Sequence, residues 1–190
     1  MKTIKTLLAL IAAAAMVACS KDDISYGDLD GTYELDNIIY LFDGKKVGEW
    51  TTPGVCNEFV YYTEKMKFEG QNVTIWAEGE WYAMPYAIDG DWISIALVPF
   101  RIKKSSKSFS LYWYPYFEML EVDSKHNPKY EDEWLKQAEK IDTYEGKDIF
   151  ENDDEYISFY YKNGKPVFCY SFDDHYENWF DTIEYIYKKK

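Results

Sequence analysis

The chain is short of the residues from which most catalytic centres are built. It holds 2 histidines and 3 cysteines among 190 residues, and neither His126 nor His175 stands at a spacing that matches a known metal-ligand set. A nucleophile elbow and a Gly-rich phosphate loop are both missing, which removes the common routes to acyl and phosphoryl transfer. Basic residues are scarce as well: Lys and Arg number 21 against 34 Asp and Glu, for a net charge of −13. That balance argues strongly against nucleic acid, whose phosphates would repel such a chain, and disfavours electrostatic docking on anionic headgroups. No internal repeat has a fixed period. The compact apolar run from Leu7 to Ala15 is too short to cross a bilayer as a stable helix.

Aromatic residues are in excess, with 19 Tyr, 11 Phe and 7 Trp. They favour half-buried pleated surfaces and stack on ligands where they are exposed. From Gly31 onward the apolar residues recur with period two. Tyr33, Leu35, Ile39 and Leu41 share one face of a strand over Thr32 to Phe42, interrupted at Asn37. Val60 and Tyr62 with Met66 and Phe68, Val73 with Ile75 and Ala77, Ile93 with Ile95 and Leu97, and Phe109 with Leu111 and Trp113 mark further faces. Pro85 breaks a segment. Asp43-Gly44, Asp89-Gly90 and above all Asn163-Gly164 carry the chemistry of tight hairpin turns. Asn127-Pro128 reads as a helix N-cap followed by Pro. Tyr130, Trp134, Ala138 and Ile141 at helical spacing predict one helix near residues 128–140, laid on the sheet. Glu155 to Lys162, Pro166 to Phe172 and Thr182 to Tyr187 return to strand. Together these predict an all-β fold, an antiparallel meander of about eight or nine strands closed into a barrel.

Lys2 and Lys5, the apolar run and the small residues after it have the layout of a secretory signal peptide. Met16-Val17-Ala18-Cys19 resembles the lipobox of bacterial lipoproteins. That resemblance implies cleavage after residue 18, diacylation of the Cys19 thiol and anchoring by the acyl chains, two of which hold a protein stably at a membrane. Ser20, Lys21, Asp22 and Asp23 resemble the short acidic export signal of surface-exposed lipoproteins of the Bacteroidetes. The implied organisation is a signal peptide over 1–18, an acidic tether over 19–29 and one domain over 30–190, lipid-anchored at the outer membrane and displayed outward.

Gly31-Thr32-Tyr33-Glu34-Leu35, directly after the tether, resembles the Gly-x-Trp opening of lipocalin-like domains. Tyr86-Ala87-Ile88-Asp89-Gly90, with Ile93 beyond it, resembles their mid-barrel hairpin. Tyr33 stands where Trp is usual, and the expected helix precedes the last strands instead of following them. The resemblance implies a lipocalin-like barrel and leaves the ligand open, because fold does not fix function. Candidate ligand-binding rings are Trp76, Trp81, Trp92, Trp113, Tyr160 and Tyr170. Inward rings line a pocket for an apolar or glycan ligand if the barrel encloses a cavity, and form core if it is filled. Cys56 and Cys169 leave a disulfide and two buried free thiols equally open. Asp173, Asp174, His175 and Glu177, like the acidic run from Asp148 to Glu155, read as solvated loops ahead of cation sites. No catalytic residue, cofactor or metal is expected. The chain reads as a non-enzymatic envelope lipoprotein that binds a small apolar or carbohydrate ligand or a protein partner. The alternative is a structural or interaction subunit of an outer-membrane complex, or an inhibitor of a host factor, working through the outer surface of the barrel.

Overall fold

Strand β1, Gly31–Phe42, is the axis of the larger of two antiparallel sheets. In the computed structural model, which describes residues 24–50, 63–77, 79–152, 157–171 and 178–190, it pairs with β2 (Lys45–Trp50), β3 (Lys65–Glu69) and the last strand, β15 (Thr182–Lys189). From β3 the sheet continues through β4 (Asn72–Ala77) to β5 (Glu80–Met84). From β15 it continues through β9 (Ser108–Trp113), β8 (Val98–Lys104) and β7 (Trp92–Ile95) to β6 (Tyr86–Asp89). Every pairing along this path is antiparallel, so β5 and β6, its two ends, run in the same direction with Pro85 alone between them. They are two halves of one strand: the first half bonds to β4, the second to β7. Proline has a fixed φ and no N–H to give a ladder. The ladder therefore changes partner at Pro85, and the nearly closed barrel is completed through the chain itself.

Period two locates most inward faces and misses two. The register shifts between Leu35 and Asn37, and one extra residue at Asp36 exchanges the faces beyond it. Tyr33 is buried before the bulge, and Ile38, Tyr40 and Phe42 after it. Ile39 and Leu41, expected inside, lie half-buried on the other face. Asn37 holds the bulge, its Oδ1 accepting the Ile38 N–H at 2.8 Å. Leu97, expected to share a face with Ile93 and Ile95, is 87% exposed. Ala96 and Leu97 both take positive φ, 51° and 72°, and make the β7–β8 turn, so the alternation stops at Ile95.

The barrel interior is an aromatic core. Phe109 lies 4.7 Å from Tyr33 and 5.1 Å from Tyr187 between ring centroids, and Phe68 meets Tyr86 at 5.3 Å. These rings join Ile93, Leu111, Trp113 and Ile183 in one buried cluster. Leu29, on the 3₁₀ turn Tyr26–Leu29, is fully buried in that cluster and closes the end at which β1 begins. Gly31 enters β1 with φ 136° where Lys189 crosses it, and a Cβ there would stand 2.6 Å from Lys189 Cε. The Lys189 side chain could move aside; it is the positive φ that calls for the opening glycine of the Gly31–Leu35 motif.

The late strands leave the barrel, where a single meander would have kept them. β10 (Glu139–Tyr144), β11 (Lys147–Asn152), β12 (Ile157–Lys162), β13 (Lys165–Ser171) and β14 (Trp179–Phe180) form a second, five-stranded sheet inserted between β9 and β15. Both of its faces are covered. Ile149, Tyr160 and Cys169 pack with Phe42 and Trp179, while Ile157, Phe159 and Phe168 pack under Trp134 and Leu135. The helix expected over 128–140 is one short helix, Asp132–Lys136, with Glu131 as its N-cap. It does lay Trp134 on the sheet, 5.9 Å from Phe159. Asn127 instead bonds back to the Asp123 carboxylate at 3.0 and 3.1 Å. Ile141 belongs to β10, because pairing with β11 outweighs helical spacing there. A further short helix, Tyr116–Met119, follows β9.

Candidate functional site

The six candidate rings do not converge. Trp113 faces the barrel core at 3% exposure. Tyr160 is buried between the barrel and the second sheet, 4.8 Å from the Phe42 ring, and Tyr170 is half-buried 6.1 Å from Phe180. Trp76 and Trp81 stand edge to face at 5.4 Å on neighbouring strands β4 and β5. Lys65 Nζ lies 5.5 Å from the Trp76 ring centre, and Trp81 is exposed. Trp92, on β7, stacks on His126 at 4.2 Å with the rings 13° apart, and Phe117 closes on it at 5.8 Å.

The outer face around Trp92 assembles more chemistry than the single ring. Across the ladder Trp92 stands opposite Arg101, Arg101 opposite Tyr112, and Tyr112 opposite Glu184. Arg101 Nε donates to Asp91 Oδ2 at 2.6 Å, and that bond holds the guanidinium pKa above its ordinary value. The Tyr112 hydroxyl donates to Glu184 Oε1 at 2.9 Å. Burial first, then Glu184, pushes its pKa up to about 12. Arg101 and Tyr112 of this row, with Asp91, line a groove of about 890 Å³ together with Leu41, Tyr114, Thr182 and Lys103 to Ser106; Trp92 and Glu184 stand outside it. Tyr116 pins the adjoining loop by donating from its hydroxyl to the His126 carbonyl at 3.0 Å. Ring faces, a guanidinium–carboxylate pair and hydroxyls are the groups that stack on and hydrogen-bond a polar ring ligand. Sequence reasoning reached Trp92 and missed Arg101, Asp91 and His126 as its companions. Their common face is legible only once β7, β8 and β9 are known to be neighbours.

The barrel and the second sheet meet on a buried carboxylate. Asp181 is 7% exposed. It accepts the Asp43 N–H at 2.6 Å, the Tyr160 hydroxyl at 2.8 Å and the Thr182 hydroxyl at 2.7 Å. Asp43 in turn meets Lys162 at 2.6 Å and Lys147 at 3.2 Å, and the Lys162 contact lowers its pKa most. Burial, then Asp181, drives the Tyr160 hydroxyl upward. These groups satisfy one another, which is the chemistry of a joint.

The remaining sequence candidates resolve individually. Cys169 is a free thiol, fully buried, and desolvation raises its pKa well above the ordinary range; Cys56 lies outside the described residues. So do Cys19, Ser20, Lys21, Asp22 and Asp23, and the cluster of Asp173, Asp174, His175 and Glu177. Within the acidic run, Asp148 meets Lys140 at 2.7 Å and Glu151 accepts the buried Ser158 hydroxyl at 2.7 Å. Among the described residues, no group of three or more His, Cys, Asp or Glu is placed to hold a metal ion. No protein-family model, curated protein or solved structure matches the chain at a significant level.

Proposed function

We propose that this chain is a lipid-anchored envelope protein, acylated at Cys19 and displayed outward through Ser20 to Asp23, whose barrel serves as a non-enzymatic carbohydrate-binding module. The ligand class rests on the outer groove. Tyr112 and Tyr114 offer ring surface, and Arg101 with Asp91 offers donors and an acceptor joined at 2.6 Å. The side chains of that pair are 56% and 42% exposed, so sugar hydroxyls can exchange into it with little desolvation. A filled barrel interior is consistent with a ligand held on the outside.

The test uses the mature chain on immobilised polysaccharides and a glycan array. Arg101→Ala is expected to weaken retention by about tenfold, the loss of a charge-assisted hydrogen bond, with Tm held within a few degrees. Equal retention of wild type and variant would remove the groove from the proposal. Cys19→Ala is expected to move the protein from the membrane fraction to the soluble one after a wash at roughly 0.5 M salt, which screens charge-mediated attachment; a variant that stays membrane-attached through that wash would overturn the anchor. A protein partner is the second reading. It is favoured by Trp81 and Tyr82, exposed at 45% and 39% on a strand, β5, that pairs on one side among the described residues. Co-purification from solubilised membranes tests it.

A further inference from the structure

We propose that the barrel end opposite the second sheet is a docking surface for the phosphate-bearing lipid headgroups of the membrane to which the chain is tethered. This rests on the reading of Cys19 as the anchored residue. Lys103-Lys104-Ser105-Ser106-Lys107-Ser108 forms the β8–β9 turn and its flanks, and Lys188 and Lys189 end β15 with Lys190 just beyond. The fold sets these two lysine runs side by side. Lys188 pairs in register with Ser108, and the Lys189 N–H donates to the Lys107 carbonyl at 2.8 Å. The 3₁₀ turn that leads out of the tether sits at the same end, with Asp28 meeting Lys104 at 3.2 Å and the Asp30 carbonyl accepting from Lys189 Nζ at 2.6 Å.

Three of the lysines have carboxylate partners: Lys104 with Asp28, Lys188 with Asp36 and Lys190 with Glu34. Lys188 and Lys190 are still 62% and 60% exposed. Lys103 and Lys107 form no ion pair among the described residues. Ammonium groups beside the Ser105 and Ser108 hydroxyls, which lie 2.6 Å apart, are donors suited to phosphate oxygens. At the opposite end the carboxylates of Asp43 and Asp148 are paired with Lys162, Lys147 and Lys140 around the second sheet. Six lysines stand at this end against Asp28, Asp30, Glu34 and Asp36, a local balance unlike the net charge of −13 over the whole chain.

Distance supports the partner. The five-residue step from Cys19 to Ile24 reaches at most about 18 Å when extended, which keeps the lysine end within roughly two Debye lengths of the headgroups at physiological salt. A tether alone would let the barrel swivel. Attraction of the lysines to an anionic leaflet stands it upright, with the second sheet outward.

The acylated full chain is placed in vesicles of phosphatidylglycerol and phosphatidylcholine, and separately in phosphatidylcholine alone. Amine-reactive labelling is then read residue by residue by mass spectrometry. Lys103, Lys107, Lys188 and Lys190 are expected to label about fivefold more slowly on the anionic vesicles, with protection lost at roughly 0.5 M salt, while Lys136 and Lys162 stay unchanged. Equal labelling on both vesicles overturns the proposal. Unacylated C19S protein provides the second arm. It should co-sediment with the anionic vesicles severalfold better than with phosphatidylcholine, and K103E/K107E, both on the exposed hairpin, should remove the difference while leaving circular dichroism intact. Mass spectrometry of the wild-type N-terminus keeps the two readings apart. A missing acyl adduct with charge-selective C19S binding refutes the anchor and retains the surface; an acyl adduct without charge-selective protection does the reverse.

Discussion

Asp181→Ala is expected to destabilise the protein by about 3–5 kcal/mol, because it strands the buried Tyr160 hydroxyl together with two part-buried donors. The Asp43 N–H and the Tyr160 and Thr182 hydroxyls all point at this one carboxylate. Its loss also removes one of the contacts at the β1–β2 turn, leaving Asp43 tied to the second sheet through Lys147 and Lys162. Urea unfolding should show the midpoint falling, and Tm should drop by roughly 10 °C for a domain of this size. Asp181→Asn keeps the shape and part of the acceptor capacity, and should cost about half as much. A loss below about 1 kcal/mol for the alanine variant would mean that water replaces the carboxylate, and that the joint is looser than its geometry. Tyr160→Phe gives the partner measurement: combined with Asp181→Ala it should cost less than the sum of the two single changes, since the hydroxyl and the carboxylate act as a pair.

Phe109→Ala is expected to cost about 3–5 kcal/mol, the range for emptying an aromatic position in a packed core. Phe109 is 1% exposed and touches Tyr33, Phe68 and Tyr187 at once. No single neighbour can collapse into the space it leaves, because each is held by its own strand. The variant also discriminates between two views of the barrel. In a barrel whose inward rings line an open cavity, truncating one ring widens a space that already exists and costs little. In a filled barrel it opens a new void. Chemical denaturation of wild type and variant separates the two, and Phe109→Leu should recover more than half of the loss.

Local chemistry made much of this architecture readable from the chain. Asn163-Gly164 forms the turn its residues require, at φ 53° and 76°, and the faces of β3, β7 and β9 follow from alternation alone. Five features were not readable, each for a physical reason. The bulge at Asp36 is a matter of register against β15, and nothing within Thr32 to Phe42 except Asn37 hints at it. Ala96-Leu97 adopts a turn that usually recruits Gly or Asn, so Leu97 looked like one more inward residue. The stretch from Ala138 to Ile141 fits a helix or a strand equally well, and pairing with β11 decides it. The separation of late strands into a second sheet depends on which partners are free when they form, which periodicity does not encode. The groove has the same cause. Arg101, Tyr112 and Glu184 come from three strands and become one row only through the register of β8, β9 and β15.

The pairing of β1 with β15 also sets a timetable. Lys189 reaches the Asp30 carbonyl from 159 residues away, and the ladder between these strands runs from Tyr33 to Leu41. A loop of that length must be closed before any contact along the seam is gained, which places the fold among the slow, non-local class. A chain emerging N-terminus first holds β1 with one flank empty until β15 is released. Any passage that accepts only unfolded polypeptide would find this one still open, and the barrel would close on the far side.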